Sequence, residues 1–220
     1  MDLEAIEIET GANPTASVVV LHGLGADGND FVPICDELDL AAVGSVRFLF
    51  PHAPMRPVTL NGGYVMRAWY DILGTELVRH EDEAGLRASR DGIEVLLARE
   101  RARGIAPGRT VLMGFSQGCA MALMTGLRHD ARLAGIVGLS GYLPMAARTA
   151  AERTDANRDT PVFLAHGLHD PVVPLARASA SRDALQALGQ PIDWRTYPIE
   201  HTVSLEELRD LERWLAGVLA

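Results

Sequence analysis

The chain contains no lysine, so all of its permanent positive charge is arginine. That absence excludes Schiff-base chemistry and a serine–lysine dyad. Cysteine is almost as scarce, and two thiols, Cys35 and Cys119, make no disulfide framework. Long hydrophobic runs are missing too. The uncharged stretch 133–147 is shorter than a membrane span and is broken by Gly135, Gly138, Gly141 and Pro144. The opening Met1-Asp-Leu-Glu is acidic, with neither a basic region nor an apolar one, so no signal peptide is expected and the cytoplasm is the expected compartment. A formal charge of −9 opposes phosphate backbones and anionic membranes. Neither nucleic acid nor stable membrane insertion is therefore expected.

What is present suits one soluble domain over 1–220: 48% hydrophobic and 22% charged residues, with no internal repeat and no linker. Leu3-Glu-Ala-Ile-Glu-Ile-Glu9 alternates like a half-solvated edge strand. Ser17-Val-Val-Val-Leu-His22 does not alternate, as expected of a strand covered on both faces. Asp30 is the expected cap of a helix burying Phe31, Ile34, Cys35 and Leu38, and Val46–Phe50 is the next strand. From about 51 to 86 the pattern dissolves into an irregular, flap-like segment, a length that points to function. A helix is predicted from about Ser89 to a stop at Gly104. Further strands are predicted at Thr110–Met113, Ala134–Leu139, Pro161–His166 and Ile192–Tyr197. A polar loop is expected from Arg148 to Asp159, and a helix running to Gly189. Ser204-Leu-Glu-Glu207 reads as a capping box for a last helix with Leu205, Leu208, Leu211, Leu215 and Leu219 on one side. The alternation predicts an α/β fold with a mostly parallel sheet of about seven strands and helices on both faces.

Between the strand at Thr110 and a helix-like run lies Gly114-Phe-Ser116-Gln-Gly118, a G-x-S-x-G pattern in a strand-to-helix context. Such a turn forces the serine into strained backbone angles and exposes its hydroxyl above the sheet edge, beside a helix N-terminus that favours developing negative charge. In a parallel sheet, reactive groups gather beyond the carboxyl ends of strands. His22-Gly-Leu-Gly, Ser116, His166-Gly-Leu-His-Asp170 and Glu200-His201 all follow predicted strands. Ser116, Asp170 and His201 thus appear in the order nucleophile, acid, base. Ser116 needs a base, which His201 supplies, with Asp170 fixing its tautomer and stabilising imidazolium. The oxyanion donors are expected to be the backbone N–H groups of Gln117 and Leu24.

Other readings remain. His166 is read as structural, His22 as a brace for the Gly-rich loop, and His52, His80 and His129 as surface or packing residues. Asp155 and Asp159 are the alternative acids if Asp170 points away. His166, His169 and Asp170 can be imagined as metal ligands, but the triad needs Asp170 and no further cluster lies nearby, so no metal or cofactor is expected.

Several stretches resemble the phospholipase/carboxylesterase group of α/β-hydrolases, which includes acyl-protein thioesterases. They are Leu21–Gly28, Pro51-His-Ala-Pro54, Pro57–Asn61, Ala68-Trp-Tyr-Asp71, Asp82–Leu86, Gly114–Gly118, Leu139–Pro144 and His166–Pro171. The resemblance spans nearly the whole chain and implies a Ser116–Asp170–His201 triad without a cofactor. It also implies an acyl pocket beside Trp69 and the segment after Asp71. Cys119 departs from the family's usual glycine, and Tyr197-Pro-Ile-Glu-His201-Thr departs from its usual histidine loop. Ile72, Leu73, Leu77 and Val78 are candidates for one wall of an acyl groove, with Val172 and Val173 opposite. Of these, Trp69, Leu73 and Val173 are the expected substrate-binding residues. Aromatic residues make up only 5% of the chain, and with so short a flap this favours short or medium acyl chains. The expected activity is a serine carboxylester hydrolase acting on small oxyesters or thioesters through an acyl-enzyme. A lysophospholipase, a lactone hydrolase and an inactive binding protein on the same scaffold are the alternatives. A homodimer is a possible assembly, with the apolar flap as contact surface.

Overall fold

The computed structural model describes residues 2–74 and 81–220. Its centre is a seven-stranded sheet in the order β1-β3-β2-β6-β7-β8-β9. The strands are β1 (Ala5–Glu9), β2 (Ala16–Leu21), β3 (Val46–Pro51), β6 (Thr110–Phe115), β7 (Gly135–Leu139), β8 (Val162–Gly167) and β9 (Ile192–Tyr197). Only β1 runs antiparallel, pairing with β3; every other pairing in the sheet is parallel. Side chains along one strand alternate between two cores. Val19 and Leu21 face a cluster with Leu86, Ile93 and Leu96. Val18 and Val20 face the opposite cluster, with Leu211 and Leu215. That two-sided burial is why β2 carries no polar alternation.

The helices are α1 (Ile34–Glu37), α2 (Glu83–Ala102), α3 (Gln117–Gly126), α4 (Ala146–Glu152), α5 (Leu175–Ala187) and α6 (Leu205–Val218). All ten residues of α3 are buried, so the helix behind the elbow is held on every side. The capping box of α6 forms between Ser204 and Glu207, but Leu205 is exposed and only the later leucines reach the core.

Four expectations need correction. Asp30 is not a cap: Asp27 caps a 3-10 turn at Gly28–Phe31, and Asp30 accepts from the Asp27 N–H at 2.7 Å. The helix predicted there shortens to the single turn α1. The segment 51–86 is not wholly irregular, because β4 (Met55–Val58) and β5 (Tyr64–Arg67) form an antiparallel hairpin. Its turn contains Asn61-Gly62-Gly63, with both glycines at positive φ, a hairpin signal. Helix α2 begins at Glu83 rather than near Ser89, because the Asp82 carboxylate accepts from the Gly85 N–H at 2.9 Å and caps it. The polar loop from Arg148 contains most of α4, where Glu152 pairs with Arg87 and Arg128.

Candidate active site

The strand order turns back between β2 and β6, and the candidate residues lie beyond the carboxyl ends of the strands around that point. The elbow geometry follows from its glycines. A Cβ on Gly114 would fall into the Gly118 carbonyl, and one on Gly118 into the Leu21 carbonyl, so strand and helix can cross only if both positions lack side chains. Ser116 sits between them at φ 56°, ψ −116°, with its N–H donating to the Leu139 carbonyl at 2.9 Å. That conformation is rare for a side-chain-bearing residue, and the crossing elements enforce it.

His201 Nε2 lies 3.0 Å from Ser116 Oγ, and His201 Nδ1 lies 2.7 Å from Asp170 Oδ2. Oδ1 of Asp170 accepts from the Val172 and Val173 N–H groups, each at 2.8 Å, so the carboxylate is aimed by its own turn. Two main-chain bonds lace that turn to the histidine loop: Leu168 N–H to the Tyr197 carbonyl at 2.8 Å, and His169 N–H to the Ile199 carbonyl at 3.0 Å. The unusual Pro198-Ile199 is thereby tied to the strand end that carries Asp170. The ring of Phe115 lies 4.8 Å from the imidazole of His201, centroid to centroid, and limits its tilt.

The Gly23–Gly28 loop passes beside the serine, where a Cβ on Gly23 would touch Ser116 Cβ at 3.3 Å. His22 is buried beneath it. Its Nε2 accepts from the Ala53 N–H at 3.0 Å, so its Nδ1 carries the proton and donates to the Gly23 carbonyl at 2.7 Å. Burial holds His22 below the ordinary histidine range, which keeps this neutral tautomer. The N–H of Gln117 is a first-turn donor of α3 with no carbonyl of its own helix to meet.

Trp69 presents no exposed surface to this space. It is fully enclosed; its indole N–H donates to the His22 carbonyl at 2.9 Å, and its backbone N–H donates to Gln117 Oε1 at 3.0 Å. The Gln117 amide also donates to the Tyr70 carbonyl at 2.9 Å. Trp69 therefore braces both loops that flank Ser116, and so does the Gln117 side chain, a function no sequence pattern announces. Leu73 is exposed beside half-buried Ile72; Val172 is exposed, whereas Val173 belongs to the core. Leu77, Val78 and His80 lie outside the described residues.

His166 is buried and points its Nε2 at the Val173 carbonyl, 2.8 Å away. Asp155 and Asp159 precede β8 and lie exposed at the opposite end of the sheet from His201. His52 accepts from the Gly28 N–H, and His129 pairs with Glu94. Cys119 is buried against Gly138 and Gly141, and burial pushes its thiol up to about 12, leaving it inert as a nucleophile. Among the described residues no cluster of three or more metal-ligating side chains occurs, and no helix is long and apolar enough to cross a membrane.

The sequence profile of the phospholipase/carboxylesterase family matches residues 3–219. An acyl-protein thioesterase 1 of Yarrowia lipolytica is 38% identical over 216 residues, covering 96% of this chain and 95% of its own. One from Gibberella zeae is 40% identical over 211 residues, covering 91% of this chain and 89% of its own. Among solved structures, acyl-protein thioesterase 2 of Zea mays superposes with a TM-score of 0.88 at 29% identity, covering 99% of both chains. With its parallel sheet, its serine elbow and these relatives, the chain belongs to the phospholipase/carboxylesterase family and is a carboxylic ester hydrolase.

Proposed function

We propose that Ser116, His201 and Asp170 are the nucleophile, base and orienting acid of an acyl-transfer cycle on short- to medium-chain oxyesters or thioesters. The observation that carries this is the imidazole of His201 lying 3.0 Å from Ser116 Oγ and 2.7 Å from Asp170 Oδ2. His201 takes the hydroxyl proton as Ser116 attacks the acyl carbon, then returns it to the departing alcohol or thiol. Water, activated by the same imidazole, attacks the acyl-enzyme and restores the serine. Gln117 and Leu24 donate their N–H groups to the tetrahedral oxyanion, and each such donor is typically worth about 10²–10³ in rate. In support, Gln117 opens the helix behind the elbow and the Leu24 loop is braced from below by His22 and Trp69.

The acyl chain leaves Ser116 towards Ile72 and Leu73, with Val173 behind the Asp170 turn shaping the site rather than exposing a face. The charge of −9 supports a small neutral substrate over nucleic acid or anionic membrane. Cytoplasmic residence belongs to the same reading. So does a homodimer through the exposed Met55, Leu60, Tyr64 and Val65 of the hairpin.

A fluorophosphonate probe should label the wild type and leave Ser116→Ala unlabelled, and that variant should lose p-nitrophenyl butyrate turnover by about 10³-fold or more. Retained turnover in Ser116→Ala would end the proposal.

A further inference from the structure

Two tyrosines outside the triad and the oxyanion donors meet behind the elbow. The hydroxyls of Tyr70 and Tyr142 lie 2.6 Å apart, and both residues are buried. Each is anchored beside the nucleophile. The Tyr70 carbonyl accepts from Gln117, and Gly141, next to Tyr142, packs so closely on Cys119 and the Ser116 carbonyl that a Cβ there would clash. The Arg177 guanidinium lies 3.3 Å above the Tyr142 ring centroid.

Tyr142 has a different space on either side. One is a surface cleft whose apolar wall is Tyr70, Ile72 and Leu73 and whose rim carries Asp71, Glu81 and Arg177. The other is a small inner void lined by Cys119, Leu123, Leu164, Ala178 and Trp194. The tyrosine ring is the partition between them.

We infer that the hydrogen-bonded Tyr70–Tyr142 pair is the end stop of the acyl groove, closing the cleft against the inner void and setting the longest acyl chain accepted. This rests on the ester-hydrolase reading above and assigns its substrate class to short chains. A chain ending before the pair packs on Ile72 and Leu73. One reaching further must separate the two hydroxyls and break the 2.6 Å hydrogen bond between them. Burial holds both phenols above their ordinary values, so both keep their protons and neither becomes a charge that admits water.

The test is kcat/KM for p-nitrophenyl esters from acetate to decanoate. The wild type should rise with length and then fall sharply. Tyr142→Ala joins cleft to void, so its optimum should move several carbons longer, with about a fourfold gain per additional buried methylene. Tyr70→Phe removes the hydrogen bond but keeps the ring. It should shift the profile less in the same direction, which keeps the test decisive if Tyr142→Ala does not fold. Cys119→Ala widens only the inner void and should leave the wild-type cut-off in place. A wild type that takes decanoate as well as butyrate overturns the stop. So does an unmoved optimum in tyrosine variants that still turn over acetate, or a shift produced by Cys119→Ala alone. A wild type inert towards every ester, acetate included, overturns the hydrolase reading instead.

Discussion

His166 Nε2 stands 3.4 Å from the same Asp170 oxygen that His201 Nδ1 approaches to 2.7 Å. The buried imidazole does not compete with His201 for this oxygen, because its proton is committed to the Val173 carbonyl. It fastens the turn whose amides aim the Asp170 carboxylate. His166→Leu keeps much of the volume and removes the donor. Stability should fall by about 1–3 kcal/mol in urea titration, the cost of stranding a buried carbonyl. On p-nitrophenyl butyrate, kcat should drop about tenfold with KM nearly unchanged, since the ring does not meet substrate. A variant as active as the wild type would remove His166 from any positioning role.

Acid should destabilise the fold through two histidines. Burial depresses His22 and His166 below the ordinary value of 6.5, so the folded state holds both neutral while the unfolded chain protonates first. The stability they contribute is present above pH 6.5 and is lost as pH falls from there through their depressed values. The melting temperature should therefore decline between pH 6.5 and 5, and His22→Gln should flatten that decline while lowering the plateau. A melting curve independent of pH over this interval would contradict the assignment.

Glu207 acts with the opposite sign. Its carboxyl is buried and raised from 4.5 to about 7, chiefly by burial, and its Oε1 has no hydrogen-bond partner. A raised carboxylate favours folding most below pH 4.5, and that contribution is lost as pH rises through about 7. Glutamine at this position can still reach back to the Ser204 N–H and keep the capping box. Glu207→Gln should raise the melting temperature at pH 8 by about 2–4 °C, the equivalent of roughly 1 kcal/mol. At pH 4, below the ordinary value of 4.5, the two proteins should melt together. An equal gain at both pH values would point to packing rather than charge.

Gly118→Ala should be among the most damaging single methyl additions. The new Cβ would overlap the Leu21 carbonyl, which is backbone in the middle of the sheet and cannot rotate aside. Either α3 moves off β2 or the elbow opens, and both displace Ser116. Esterase activity should fall by about 10²-fold or more through lost alignment, with fluorophosphonate labelling slowed in proportion. Normal labelling kinetics in a folded Gly118→Ala protein would refute this account of the elbow.

Much of the architecture is legible along the chain because its signals are local. Apolar runs such as Ser17–Leu21 need no partner to be read as buried strands, and Ser204 with Glu207 marks a helix start within four residues. The short strands of the Met55–Arg67 hairpin are only partly covered, so burial imposes no readable pattern on them, and Asp82, which caps α2, also accepts from the Asp71 N–H at 2.9 Å. Leu205 has the helical spacing of a core residue but stands exposed at the first turn, where no element covers it.

The sequence alone determined the chemistry that can be present: a serine in an elbow that only glycines permit, followed in order by an acid and a histidine beyond strand ends. Tertiary structure decided what those groups do to one another. It tied Trp69 to the His22 carbonyl, laced the histidine loop to the Asp170 turn, and joined Tyr70 to Tyr142 across 72 positions. The physical reason is one of range. Spacing and propensity act over a few residues, whereas burial and hydrogen-bond pairing depend on which distant surfaces the folded sheet brings face to face.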